Sequence, residues 1–189
     1  MAPDVAATTA AREDAELMRR VQTGDEAALG ALMERWELPV KSVIGRIVLN
    51  ASEAEELAQE AFIRLWQQRE KYRTDAPFRP WIFAIAVNLA RNRLRWWRSR
   101  PEVALDEWTE KAGDATSGRV SAETAERSAA VRDAIAALPT DLREAIVLFE
   151  YEQMSQAEIA SVVGASAKAV ETRIHRARER LRARLSAWQ

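Results

Sequence analysis

Between Ser166 and Leu185 the chain carries Lys168, Arg173, Arg176, Arg178, Arg180, Arg182 and Arg184 against only Glu171 and Glu179. Arginine presents a planar fork of donors that matches guanine O6 and N7, or two phosphate oxygens, so a cationic run of this density is chemistry for nucleic acid. Within the run Val170, Ile174, Ala177, Leu181 and Leu185 recur at three- and four-residue steps, an apolar stripe that predicts one helix with a buried side. Its opposite side presents Lys168, Thr172, Arg173 and Arg176 near the helix start, where base edges are reached, and Arg180 further along, where phosphates are held. Catalytic chemistry finds no comparable foothold. There is no cysteine, the single histidine, His175, cannot supply a zinc site alone, and no nucleophile–base pair or phosphate-cradling glycine loop occurs. No metal, no cofactor and no enzymatic activity are expected.

The elements that must position this helix are legible just upstream. Ser155-Gln156-Ala157-Glu158 is a capping box that starts a short helix through Val162, Gly164 permits a sharp turn, and Ser166 can cap the basic helix. Thr140, after Pro139, is expected to cap a preceding helix whose Leu142, Ala145, Ile146 and Phe149 have core spacing. Together these form a helix-turn-helix whose second helix is fit for a major groove.

Apolar spacing is helical nearly throughout, which predicts an all-α protein, and the 48% hydrophobic content of the 189 residues suffices for a real core. Breaks are expected at Gly24, Pro39, Pro77 with Pro80, Pro101, Gly113 with Gly118, Pro139 and Gly164. From Pro101 to about Arg127 periodicity is lost, so this stretch reads as a linker, with Trp108 as its anchor. The organisation expected is a helical domain over 1–100, a linker over 101–127 and a helix-turn-helix domain over 128–189. No segment approaches the roughly 18 apolar residues of a membrane span, and Met1 to Arg12 lacks an apolar targeting core, so a cytoplasmic protein without membrane insertion is expected.

The formal net charge of -1 hides a sorted distribution. Asn88 to Arg100 holds Arg91, Arg93, Arg95, Arg98 and Arg100 with no acid, whereas Ser52 to Glu60 holds Glu53, Glu55, Glu56 and Glu60 with no base. Ser52-Glu53-Ala54-Glu55 is a second capping box, opening a helix to about Arg69 with the core stripe Ala54, Leu57, Ala58, Ala61, Phe62 and Leu65. Glu56, Gln59, Glu60, Ile63 and Trp66 lie on its other side, which suits either a basic protein partner or packing within the domain. A polar loop, REKYRTDAPFRP, then precedes the helix WIFAIAVNLARNRLRWW, and a polar loop beside a basic helix suits single-stranded DNA. Trp81, Phe83 and Ile85 read as core, while Trp96 and Trp97, among arginines, could pack or touch DNA.

Four segments, GDEAALGALMERW, AEELAQEAFIRLW, FRPWIFAIAVNLARNRLR and LPTDLREAIVLFEYEQMSQAEIASVVGASAKAVETRIHRARERLRARL, resemble in order and spacing the extracytoplasmic-function group of bacterial sigma factors. These smallest sigma factors keep only sigma-2 and sigma-4 domains joined by a linker. The resemblance implies an alternative sigma factor that directs core RNA polymerase to promoters. It implies that Glu56, Leu57, Gln59, Glu60 and Phe62 dock on the clamp helices of the polymerase beta-prime subunit. It implies that the loop with Lys71, Tyr72, Arg73, Thr74, Asp75 and Phe78 captures a flipped minus-ten base, and that Asn88, Arg91, Asn92 and Arg95 hold the neighbouring strand. Lys168, Thr172, Arg173 and Arg176 would read the minus-thirty-five duplex, and an anti-sigma factor is an implied partner. Asn92 stands where the family commonly has Asp, and Ala169-Val170-Glu171 where it has a Thr-Val-Lys-type run, so base preferences do not carry over. Glu171 would repel phosphate or accept from a cytosine amino group. A sigma mimic that only titrates an anti-sigma factor, and a stand-alone helix-turn-helix regulator, are the alternatives.

Overall fold

The computed structural model describes residues 5–100 and 122–186. Among them the regular structure is eight α-helices and one 3-10 turn, with no strand. The first half is α1 (Val5–Gln22), α2 (Glu26–Val48), α3 (Ala51–Gln67), the 3-10 turn Arg69–Lys71, and α4 (Phe78–Ser99). The second is α5 (Ala122–Ala136), α6 (Thr140–Glu150), α7 (Gln156–Val163) and α8 (Ala167–Arg184). No helix among the described residues is long and apolar enough to cross a membrane.

Local chemistry sets most boundaries. Gly24 at φ 89° turns the chain between α1 and α2, and the Asp25 side chain accepts the Ala28 amide at 3.0 Å to cap α2. Pro39 does not break the chain as expected: α2 runs straight through it. Val40, Val43, Ile44, Ile47 and Val48 beyond the proline and Ala28 and Leu32 before it are all buried. That burial offsets the roughly 3 kcal/mol an interior proline costs. Leu49, in the left-handed region at φ 64°, then ends α2.

The next cap also differs from expectation. Asn50, not Ser52, caps α3, its Oδ1 accepting the Glu53 amide at 3.0 Å. A Cβ on Gly45 would sit 3.4 Å from the Ala54 Cβ, so α2 and α3 approach closely and the reversal is finished by Leu49 and Asn50. Ser52 is already inside the first turn and exposed. Thr140 likewise is the first residue of α6 rather than its cap, and its hydroxyl accepts from Arg98 Nη2 at 3.1 Å.

Residues 101–121, including Trp108, lie outside the described residues. Within the stretch expected to be linker, α5 begins at Ala122. That helix, AETAERSAAVRDAIA, rests on alanine propensity with little apolar period, and periodicity alone misses it.

The two halves pack on each other, α4 against α7 and α2 against α6, and one apolar core runs through both. Helix α6 is the hub, with every residue from Leu142 to Leu148 buried. Replacing Asn50 with Ala should lower the unfolding free energy by about 1 kcal/mol, and Ser52→Ala by less than about 0.5 kcal/mol, in urea titrations. Equal losses would refute the cap assignment.

Candidate nucleic-acid interface

The helix-turn-helix is built as its local chemistry demands. Ser155 Oγ accepts the Glu158 amide at 3.2 Å while Glu158 Oε2 accepts the Ser155 amide at 2.8 Å, completing the capping box. Gly164 at φ 67° ends α7, and Ser166 Oγ accepts the Ala169 amide at 3.2 Å to start α8. Val170, Ile174 and Ala177 are buried, which turns Lys168, Glu171, His175, Arg176 and Arg180 to solvent. Thr172 is less available, since Oγ1 donates to the Lys168 carbonyl at 2.9 Å. Arg173 leans toward Asp141, Nε lying 3.7 Å from Oδ2. Arg178 is drawn from the outward face, donating to Glu150 Oε1 at 2.8 and 3.0 Å above the Phe149 ring.

In the first half the loop between α3 and α4 is tied from within. Tyr72 is buried, its hydroxyl donating to the Ala76 carbonyl at 2.6 Å, and its ring stacks obliquely on Trp81 at 5.1 Å. Phe78 is buried among Tyr72, Trp81 and Trp36. Gln22 of α1 closes the loop by donating to the carbonyls of Arg69 at 3.0 Å and Tyr72 at 2.8 Å. Of the residues expected to capture a flipped base, Tyr72 and Phe78 thus lie beneath the surface, as the floor that shapes the loop. Lys71, Arg73, Thr74 and Asp75 form its exposed rim. The Arg73 fork lies on Asp75 at 2.7 and 3.1 Å, which holds the Asp75 carboxyl below the usual carboxylate range.

Along α4, Asn88, Asn92 and Arg95 are exposed, and Arg91 is not available. Its guanidinium makes a two-pronged pair with Glu144 of α6, Nη2 to Oε2 at 2.5 Å and Nε to Oε1 at 2.7 Å, and Nη1 donates to the Val163 carbonyl at 3.3 Å. Hydrogen bonding to Glu144 raises the Arg91 pKa above the ordinary arginine range. The expected Arg91 contact with a DNA strand is thus occupied by the second half in this arrangement. Trp97 is buried, whereas Trp96 is half-buried under Arg100, with Cζ 5.1 Å from its ring.

The acidic helix is less acidic than its composition. Glu53 is buried and paired with Arg93, Glu55 is paired with Lys41, and Glu60 with Arg64 at 2.8 Å. Of the residues expected at a polymerase interface, Leu57 and Phe62 are 5% and 3% exposed and lie in the core stripe of α3. Glu56 and Gln59 are exposed, next to Ile63 at 51% and half-buried Trp66. Glu56 and Glu60 also line a groove of about 530 Å³ between α3 and α4, with Leu89, Asn92, Arg93 and Trp96 opposite.

Residues that sequence reasoning missed hold the halves together. Arg143, 8% exposed, donates to the carbonyls of Ile47 at 2.7 Å, Leu138 at 2.9 Å and Ala136. Burial pulls its pKa down, opposed by Glu144. Arg79 reaches Glu152 at 3.9 Å, and the Arg46 guanidinium lies 4.1 Å over the Tyr151 ring. The available signal was the uninterrupted Ala145-Ile146-Val147-Leu148, apolar on all sides, which marks a helix enclosed from every direction.

Comparison with known proteins agrees with this geometry. Residues 32–99 match the model for sigma-70 region 2 and residues 128–181 that for sigma-70 region 4. The chain is 37% identical over 175 residues to the RNA polymerase sigma-H factor of Pseudomonas aeruginosa, covering 88% of this chain and 91% of that one. It is 34% identical over 174 residues to the ECF RNA polymerase sigma-E factor of Escherichia coli, with the same coverage. Among solved structures it is similar to CnrH in complex with the cytosolic domain of CnrY, with a TM-score of 0.71, 28% identity, and 93% and 98% of the two chains covered.

Glu144→Ala should destabilise the chain by about 2–3 kcal/mol in urea unfolding. This is below the full value for a buried pair, because the Arg91 side chain keeps 27% of its surface in water. A Glu144→Leu, Arg91→Met double variant should recover most of that loss. Burial pushes the Glu152 carboxyl above its ordinary range against the pull of Arg79 and Arg46. The neutral form thus favours the folded state: this contribution is complete below the ordinary glutamate pKa and is lost as pH rises through the higher native value. Thermal melts should show Glu152→Gln more stable than the parent near neutrality, with the gap closing on acidification. A gap that widens on acidification would reverse the sign.

Proposed function

The chain belongs to the extracytoplasmic-function sigma factors of the sigma-70 family, which direct RNA polymerase to promoters, and on that premise we propose how its surfaces divide the work. The single observation that carries the proposal is the capped α7–turn–α8 unit with Lys168, Arg176 and Arg180 on its outer face. This unit reads the minus-thirty-five duplex, Arg176 and Lys168 reaching bases, Thr172 and Arg173 joining when they leave their internal partners, and Arg180 holding phosphate.

The rim of the α3–α4 loop, Lys71, Arg73, Thr74 and Asp75, takes the flipped base of the melted minus-ten strand, while Asn88, Asn92 and Arg95 follow the strand beside it. Arg91 joins them only after the two halves separate and Glu144 lets go of its guanidinium. Core polymerase is engaged by the exposed edge of α3, with Glu56, Gln59 and Glu60 addressing basic groups of the beta-prime clamp. The domain organisation in this proposal is a promoter-melting unit up to residue 100 and a duplex-reading unit from about residue 128.

The protein works in the cytoplasm, catalyses nothing itself, and requires no cofactor. An anti-sigma factor that stabilises the packed arrangement is part of the proposal, supported by the resemblance to CnrH bound to the cytosolic domain of CnrY.

Run-off transcription with purified core polymerase on genomic fragments tests the whole. The protein should add new start sites preceded by a shared pair of spaced elements. The Arg173→Ala, Arg176→Ala double variant should reduce their use by tenfold or more, as expected for the loss of contacts worth about 1–3 kcal/mol each. Absence of new start sites with the parent chain overturns the proposal.

A further inference from the structure

Two acids stand among the bases on the outward face of α8: Glu179, beside His175 at 3.4 Å, and Glu171, the one in its first turns. The Glu171 side chain keeps half of its surface in water, and its Oε2 lies 3.0 Å from Lys168 Nζ. Thr172 is turned onto the Lys168 carbonyl and Arg173 toward Asp141, so the outermost groups of the first turns are Lys168, Glu171, His175 and Arg176. Lys168 itself is 81% exposed, with this carboxylate at its ammonium.

An ionised carboxylate only accepts hydrogen bonds, so in a major groove it can address only the amino groups, cytosine N4 and adenine N6. Adenine carries the N7 acceptor beside its amino group and repels the second carboxylate oxygen. Cytosine carries no such neighbour. Across its base pair, however, guanine O6 lies next to cytosine N4 and requires a donor. The Lys168 ammonium is that donor. Lys168 Nζ and Glu171 Oε2 form a donor–acceptor pair 3.0 Å apart, and the O6 and N4 they would meet are joined by a hydrogen bond of about 2.9 Å. Spacing and polarity are complementary at both ends.

We infer that Lys168 and Glu171 act as one unit that selects a single G·C pair in the upstream element, Glu171 accepting from cytosine N4 and Lys168 donating to guanine O6. The pairing also accounts for an acid on a DNA-binding face, because the adjacent ammonium offsets its repulsion from phosphate. This inference rests on the assignment of α8 to the upstream duplex.

The test uses holoenzyme reconstituted from core polymerase and the full chain, on a promoter library randomised across the upstream element, with transcripts sequenced. The parent chain should prefer a G·C pair at one position by roughly 5- to 150-fold, the equivalent of 1–3 kcal/mol. Glu171→Gln, whose amide both donates and accepts, should move the preference at that position toward adenine and leave the others unchanged. Lys168→Ala should weaken the same position alone. An unchanged profile in Glu171→Gln overturns the inference. So does a uniform rise across all upstream sequences, which would reduce the carboxylate to a repulsive charge. If instead the parent shows no dependence on the upstream element at all, the assignment of α8 fails and this inference with it.

Discussion

Charge enclosed between the two halves is the constraint on which the rest of the architecture depends. A guanidinium removed from water must be met by acceptors on its own geometry, and Arg143 meets three carbonyls, one near the end of α2, one on the last residue of α5 and one just beyond it. Beside it Glu144, 1% exposed, is tolerable only because Arg91 grips both of its oxygens. Breaking any of these contacts leaves a charge enclosed without its partner, and of the Arg143 guanidinium only Nε is already without one. Helix α6 supplies both charged residues and is enclosed on all sides, which makes it the hinge of the molecule in energetic terms.

That arrangement treats the two nucleic-acid surfaces unequally. The outer face of α8 points away from the junction and keeps Lys168, Arg176 and Arg180 in solvent. On α4, Arg91 and Arg98 reach across the junction to Glu144 and Thr140 and Arg93 is paired with Glu53, while Asn88, Asn92 and Arg95 stay exposed.

What was legible in the sequence was what short-range chemistry decides. The Ser155–Glu158 box, the left-handed Gly164, the Ser166 cap and the α8 stripe each involve residues within four positions of one another, and the structure has them all. Less legible was whatever depends on a distant segment. Pro39 is carried through a helix because of neighbours on other helices, and Asn50 caps α3 because Gly45 lets α2 approach Ala54. Tyr72 and Phe78 belong to the loop expected to capture a base, yet Trp36, far back in the chain, completes the aromatic floor that buries Phe78 beside Tyr72. Arg91 looked like a strand contact for the same reason: nothing within its own helix announces Glu144, fifty-three positions away.

The two hydrogen bonds from Gln22 carry a consequence of their own. They join the last turn of the first helix to both ends of a segment some fifty residues further on, so the shape of that segment is set by a side chain that need never meet a nucleotide. A substitution at Gln22 would therefore reshape that segment while leaving every residue of its exposed rim in place.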